Sequence, residues 1–276
     1  MQLVMSELMQ RAITALLLLP VVIWSVFFAP DATAFASFAG AIIIVGAWEW
    51  TRMMGWQPVW QRVSYVLLLS VAVVSFRLAD LAALPPALYA LSVGFWLLAL
   101  RLVAGYPGNA ALWARSVVLA PVGYFLLLPA WLGLTSLHAA SPWWLMFLFL
   151  LVWGADTGAY FAGRAFGKHK LAVAVSPGKT IEGMLGGLGL ALLIAFGVAL
   201  YNDLAGLRLI AFLGLSLLTV LASVLGDLFE SMVKRHAGMK DSGTIFPGHG
   251  GAMDRIDSLT AAAPVFALGW WLAGGF

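Results

Sequence analysis

Residues 227–257 read DLFESMVKRHAGMKDSGTIFPGHGGAMDRID and hold most of the chemistry this sequence could do. Five acids (Asp227, Glu230, Asp241, Asp254, Asp257) and four bases (Lys234, Arg235, Lys240, Arg255) fall within 31 positions. They are a third of the chain's 27 charged residues, and long apolar runs lie on both sides. A charge at the centre of a bilayer costs roughly 2.5–3.5 kcal/mol on the most lenient scale, so nine facing lipid would cost on the order of 25 kcal/mol. That exceeds the whole stability of a typical domain. The block must sit in water or line a polar cavity, where its charges pair with one another, a metal or a charged substrate.

The middle of the block cannot be a regular helix, because Gly238, Gly243, Gly248, Gly250, Gly251 and Pro247 interrupt it. Such a loop can turn sharply and aim backbone N–H groups at an anion. Lys234, Arg235, Lys240 and Arg255 add donors suited to phosphate oxygens. A patch that only attracts anionic lipid would not carry interleaved acids. Acids among phosphate-binding bases fit a divalent cation, since magnesium takes one or two carboxylates plus substrate phosphates. Asp227 and Asp254 flank the loop and are the best metal pair, while Asp254 and Asp257 are spaced to share one helix face. A lone histidine is more often structural than a base, but the place of His249 between Gly248 and Gly250 favours phosphate contact. His138, His169 and His236 show no metal-ligand spacing.

Two polar stripes run along apolar segments. Ser223, Asp227, Ser231 and Lys234 fall on one helical face, and so do Asp156, Tyr160 and Arg164. Ionisable groups at membrane depth point to function, so Asp156 and Asp227 are expected to face one cavity. SPGKTIEG, residues 176–183, ends like a phosphate-binding loop, but Val173 stands where that motif needs glycine. It reads instead as a helix start, with Ser176 or Thr180 as N-cap and Lys179 beside the positive end. Glycines four apart (Gly154 and Gly158, Gly163 and Gly167, Gly183 and Gly187) predict that the two helices carrying them pack closely.

These groups need a scaffold, and composition says which kind. The chain is 63% hydrophobic and 10% charged over 276 residues, against about 25% charged in soluble domains. It reads as an all-α, polytopic integral membrane protein. Nine spans are expected, near 12–30, 32–50, 63–79, 86–104, 114–136, 142–164, 180–201, 207–230 and 257–275. With the N-terminus inside, only Arg77 and Arg208 of the 15 basic residues fall outside, which favours an N-in, C-out course. Loops 165–179 and 231–256 then share the cytoplasmic side. The chain divides into N-terminal helices, 1–140, and a catalytic half, 141–276, within one membrane domain. The absence of cysteine excludes disulfides, thiolate metal sites and cysteine nucleophiles. The net charge of +3 needs no nucleic-acid partner, because basic residues belong at cytoplasmic loops facing anionic lipid.

Residues 231–258, SMVKRHAGMKDSGTIFPGHGGAMDRIDS, closely resemble the signature of phosphatidate cytidylyltransferases, also called CDP-diacylglycerol synthases. The match runs through Ser231, Lys234, Arg235, Lys240, Asp241, His249, Gly250, Gly251, Asp254, Arg255 and Asp257. Ala252 stands where the family usually has a larger aliphatic residue. DTGAYFAGRAFGKHKL and SPGKTIEG are also similar to family segments. The resemblance implies transfer of a cytidylyl group from CTP to phosphatidate, giving CDP-diacylglycerol and pyrophosphate. It implies a funnel-shaped cavity open to cytosol and lipid, in the cytoplasmic membrane of a bacterium. Magnesium, as one or two ions, would serve the reaction; a monovalent cation and a homodimer are left open. In that reading Asp227, Lys240, Asp241, His249 and Asp254 are catalytic, with Asp227 and Asp254 on the metal. Asp156, Lys179, Ser231, Lys234, Arg235, Gly250, Gly251, Arg255 and Asp257 bind substrate. Two rivals are a CTP-dependent lipid kinase acting on a polyprenol, which would yield CDP, and an ion-coupled transporter. Transporters carry internal repeats, and none is visible here.

Overall fold

The computed structural model describes residues 7–29, 31–78, 84–246, 248 and 250–276, with side chains from residue 16 onward. Helices follow one another almost without interruption: α1 (Glu7–Phe27), α2 (Ala32–Met53), α3 (Val59–Leu78), α4 (Leu84–Ala104), the single turn α5 (Ala110–Trp113), α6 (Ser116–Ala140) and α7 (Pro142–Phe166). A hairpin of β1 (Lys170–Ala172) and β2 (Ser176–Thr180) precedes α8 (Ile181–Tyr201), α9 (Gly206–His236) and α10 (Met253–Leu272). The chain is thus a polytopic, all-α integral membrane protein. Among the described residues seven helices, α2, α3, α4, α6, α7, α8 and α9, are long and apolar enough to cross a bilayer. The first and ninth expected spans correspond to α1, whose apolar stretch Leu16–Phe27 is short, and to α10. Asp254, Arg255 and Asp257 near the start of α10 lower its apolar character.

Local chemistry sets the helix starts. Asp31 accepts the Ala34 N–H at 2.8 Å to cap α2, and Ser141 caps α7 ahead of Pro142. Thr180, one of two N-cap candidates, caps α8 by accepting the Gly183 N–H at 3.1 Å. Ser176, the other, opens β2 instead, paired antiparallel with Ala172. Segment 165–179 is therefore partly a hairpin and not a plain loop. The other large loop is shorter than expected, because α9 continues to His236. Lys234, Arg235 and His236 end that helix, where positive charge complements its carbonyl terminus.

Packing follows the small residues. A Cβ on Gly158 would lie 2.6 Å from the Gly186 carbonyl oxygen, and one on Gly187 would lie 2.5 Å from that of Ala155. Hence α7 and α8 meet backbone to backbone, as the glycine spacing predicts. Gly226 does the same for α9 and α10, where an added Cβ would be 2.6 Å from the Asp257 carbonyl oxygen. Elsewhere indole N–H groups anchor α2 to α6: Trp50 donates to Leu119 O and Trp131 to Ala36 O, both at 2.9 Å and both buried. The two halves of the chain share one core, since α10 packs on α2, α4 and α6 as well as on α9.

Candidate active site at one end of the bundle

Long-range polar contacts gather the C-terminal ends of α2, α7 and α9, the hairpin and the start of α10 at one end of the bundle. Arg235 Nε donates to Val175 O at 3.4 Å, linking the two large loops. Lys179 Nζ, at the end of β2, lies 2.6 Å from Asp227 Oδ2 on α9. Beside this pair, α7, α8, α9 and the hairpin enclose a cavity of about 430 Å³. Asp156, Tyr160, Arg164, Lys179 and Thr180 supply its polar lining, and Val220, Val224, Leu188 and Met184 its apolar floor. The Asp156–Tyr160–Arg164 stripe therefore faces one space, and Arg164 Nη1 donates to the Tyr160 hydroxyl oxygen at 3.2 Å. Ser231 Oγ donates to Asp227 Oδ1 at 3.3 Å.

A second, closed cluster lies next to this cavity. Lys234 turns from Asp227 toward Glu230 and the loop. It makes an ion pair with Glu230 and another with Asp254 Oδ1, the latter at 2.5 Å. Asp254 Oδ2 accepts from Ser242 N, Ser242 Oγ and Gly251 N, all at 2.8 Å. Both Asp254 oxygens are thus committed to protein donors. The Gly251 N–H, expected to face a ligand anion, faces this internal one. Gly250 holds a positive φ of 77° and accepts the Phe246 N–H at 2.9 Å, closing the turn before α10.

Asp227 and Asp254 consequently answer to different lysines, and among the described residues no hydrogen-bond partner is common to both. Among the described residues no three acids or histidines converge at metal-binding distance. The charges nevertheless interact across the two clusters: Asp156 with Asp227, Lys179 and Arg255; Asp257 with Asp227 and Glu230; Glu230 with Asp227 and Asp254. Glu230 is 1% exposed, and among the described residues Lys234 is its one ion-pair partner. Lys240, Asp241 and Arg255 are exposed, with no hydrogen bond or ion pair from their side chains among the described residues. His249 lies outside the described residues, and so does Pro247.

Sequence reading missed one participant. Glu49, near the end of α2, is 2% exposed. It accepts from Ser242 Oγ at 2.9 Å, Met253 N at 2.8 Å and Ala252 N at 3.1 Å. Its setting, GAWEWTR, gave one signal: an acid inside an apolar run.

The donor chemistry at this end of the bundle suits a divalent ion, while the described side chains form no ready-made cage for one. Asp156, Asp227, Glu230, Asp254 and Asp257 bring five formal negative charges together, against three positive ones from Lys179, Lys234 and Arg255. Magnesium needs only one or two of those carboxylates if phosphate oxygens complete its shell. Asp227 keeps 27% of its side chain open and pairs with Lys179, which lines the cavity, rather than with the Asp254 cluster.

The chain is similar to known proteins along nearly its whole length. Residues 9–272 match the model of the Cytidylyltransferase family. A protein of Pseudomonas aeruginosa called phosphatidate cytidylyltransferase is 47% identical over 269 residues, covering 97% of this chain and 98% of its own length. One of Haemophilus influenzae with the same name is 42% identical over 282 residues, covering 94% and 97%. On a family match spanning nearly the whole sequence, and on relatives aligned end to end, this chain belongs to the Cytidylyltransferase family.

Proposed function

We propose that this chain transfers a cytidylyl group from CTP to phosphatidate, giving CDP-diacylglycerol and pyrophosphate for phospholipid synthesis. The observation that carries the reading is the 47% identity to a phosphatidate cytidylyltransferase along almost the full length of both chains. The charged end of the bundle supports it, because a nucleotide triphosphate and a lipid phosphate need cations beside an apolar wall. In the reaction a phosphatidate phosphate oxygen bonds to the α-phosphorus of CTP, and the bond from that phosphorus to the bridging β oxygen breaks. Pyrophosphate carries the electron pair away. The attacking oxygen is already anionic near neutral pH, so no strong base is required. The obstacle is repulsion between two polyanions, and oriented cationic groups lower it.

Lys179 and Arg164 in the cavity, with Arg235, Lys240 and Arg255 at its mouth, hold phosphates in this reading. Asp227, with Asp257 and Asp156 in the same charged group, would hold the divalent ion. Asp254 keeps Lys234 and the loop in place, and joins the ion only if it gives up a protein donor. When bound, magnesium would stabilise charge on the phosphate oxygens. The site faces the cytosol from the cytoplasmic membrane, in keeping with the basic residues at that end. The lipid chains run along the α8–α9 seam. Past the cavity that seam continues as an apolar groove of about 500 Å³, lined by Gly189, Leu193, Phe196, Ile210 and Gly214.

The purified protein, given CTP, phosphatidate and magnesium in detergent, should release pyrophosphate and CDP-diacylglycerol in equal amounts. Formation of CDP with a phosphorylated lipid would instead mark a lipid kinase and overturn the reading.

A further inference from the structure

We propose that Glu49 is a positioning residue for the transfer reaction, acting from α2 through Ser242 on Asp254 and Lys234. The proposal rests on the reading that Asp254 and Lys234 serve the cytidylyl-transfer site.

The geometry is specific to a carboxylate. Glu49 Oε1 accepts the Ala252 N–H, and Oε2 accepts the Met253 N–H and the Ser242 hydroxyl. The residue at the start of α10 has no side-chain cap of its own, so an acid 203 positions away in sequence supplies the cap. The space is reserved as well. A Cβ on Gly251 would overlap the Glu49 carboxylate, and one on Gly243 would lie 2.9 Å from its Cδ. Among the described residues no lysine or arginine pairs with Glu49. Burying an acid without a cation is costly, and here the Ala252 and Met253 amides and the Ser242 hydroxyl offset that cost. Packing alone does not explain it.

Ser242 is the link. Its hydroxyl lies 2.9 Å from Glu49 Oε2 and 2.8 Å from Asp254 Oδ2. One hydroxyl has one proton, so it serves one carboxylate at a time. Backbone N–H groups hold the other: Ser242 and Gly251 for Asp254, Ala252 and Met253 for Glu49. The two acids grip the loop and the first turn of α10 from opposite sides. The orientation of Asp254, and through it of Lys234 Nζ, then depends on a residue that touches no substrate.

The test compares Glu49→Gln and Ser242→Ala with Thr51→Ala. Thr51 is a buried polar residue of the same helix that bonds Arg62 and not the loop. Gln keeps the shape of Glu but turns an NH2 toward donors it cannot accept. Loss of a group that orients a working residue typically lowers activity 10–100-fold. Both Glu49→Gln and Ser242→Ala should therefore lower kcat by about 10–100-fold, with KM for CTP and phosphatidate changed less than about threefold. The double variant should lose less than the product of the two single losses, because Glu49 and Asp254 share the Ser242 hydroxyl. Thr51→Ala should lower the unfolding temperature in detergent and leave kcat per folded molecule unchanged. Wild-type kcat in Ser242→Ala would overturn the proposal, even if Glu49→Gln failed to fold. So would losses that merely track the folded fraction, or losses that multiply in the double variant. An unmutated protein that makes no pyrophosphate from these substrates would sink the activity itself, a separate result.

Discussion

Lys179 Nζ and Asp227 Oδ2, 2.6 Å apart, join the hairpin to α9 while each side chain keeps more than a quarter of its surface open, 29% and 27%. Lys234 and Asp254 make an equally short pair that is shut away at 9% and 6%. The two lysine–aspartate pairs therefore have different work. In the proposed reading the open one exchanges partners with an incoming phosphate or metal, and the closed one holds the loop.

Lys179→Ala tests the open pair. A partly exposed ion pair contributes about 1 kcal/mol or less to stability, so the unfolding temperature should hardly move. Loss of one preorganised cation facing developing charge typically lowers turnover by about 10²-fold or more. Pyrophosphate release at varied CTP, beside thermal unfolding in detergent, checks both halves. A large fall in unfolding temperature would mean that the pair is structural.

Asp254→Asn should behave differently. It removes the charge that neutralises buried Lys234 and places an amide among the donors Ser242 N, Ser242 Oγ and Gly251 N. Breaking a buried pair from one side costs about 3–5 kcal/mol. Activity and thermal stability should fall together, whereas Asp227→Asn should lose activity alone. Measuring both variants side by side decides whether Asp254 organises the loop or only meets substrate.

The α7–α8 contact is open to a simpler trial. Gly158→Val puts a side chain where the Gly186 carbonyl already sits, and overpacking of this kind costs about 1–3 kcal/mol. Gly94→Ala on α4, where an added Cβ meets nothing within 4 Å, is the control and should be silent or mildly stabilising. Unfolding temperatures of the two variants should separate clearly.

Gly189 and Gly214 face the groove between α8 and α9, and an added Cβ at either meets nothing within 4 Å. Gly214→Leu should therefore fold normally and fill the groove. The expected result is a drop in kcat/KM for long-chain phosphatidate, about tenfold on the scale of a few lost methylene contacts, with short-chain substrate and CTP unaffected. Equal loss with all chain lengths would place the acyl chains elsewhere.

Most of the scaffold was legible in the residues. The helix positions follow from unbroken apolar runs, and the α7–α8 seam follows from glycines four apart. The hairpin was not legible, because β1 and β2 are three and five residues long and half exposed, too short for an alternating pattern. The extension of α9 to His236 was hidden by the charges that complete it. At the site, Asp156 and Lys179 were readable as cavity groups from their stripe and their place beside a helix start. The partners of Asp227 and Asp254 were not, since Lys179 and Ser242 are chosen by tertiary approach. Glu49 was the hardest case: its three donors lie 193–204 positions downstream, beyond any local spacing rule.

The anchoring of α10 by Glu49 bears on how the polypeptide can be divided. A fragment beginning after residue 140 would keep the segments 156–171, 176–183 and 231–258 yet lose α2, and with it the carboxylate that satisfies the Ala252 and Met253 amides. Such a truncated piece would carry all the recognisable letters and an unfastened hinge. The amino-terminal helices are therefore no mere membrane tether; through Glu49 they complete the start of α10.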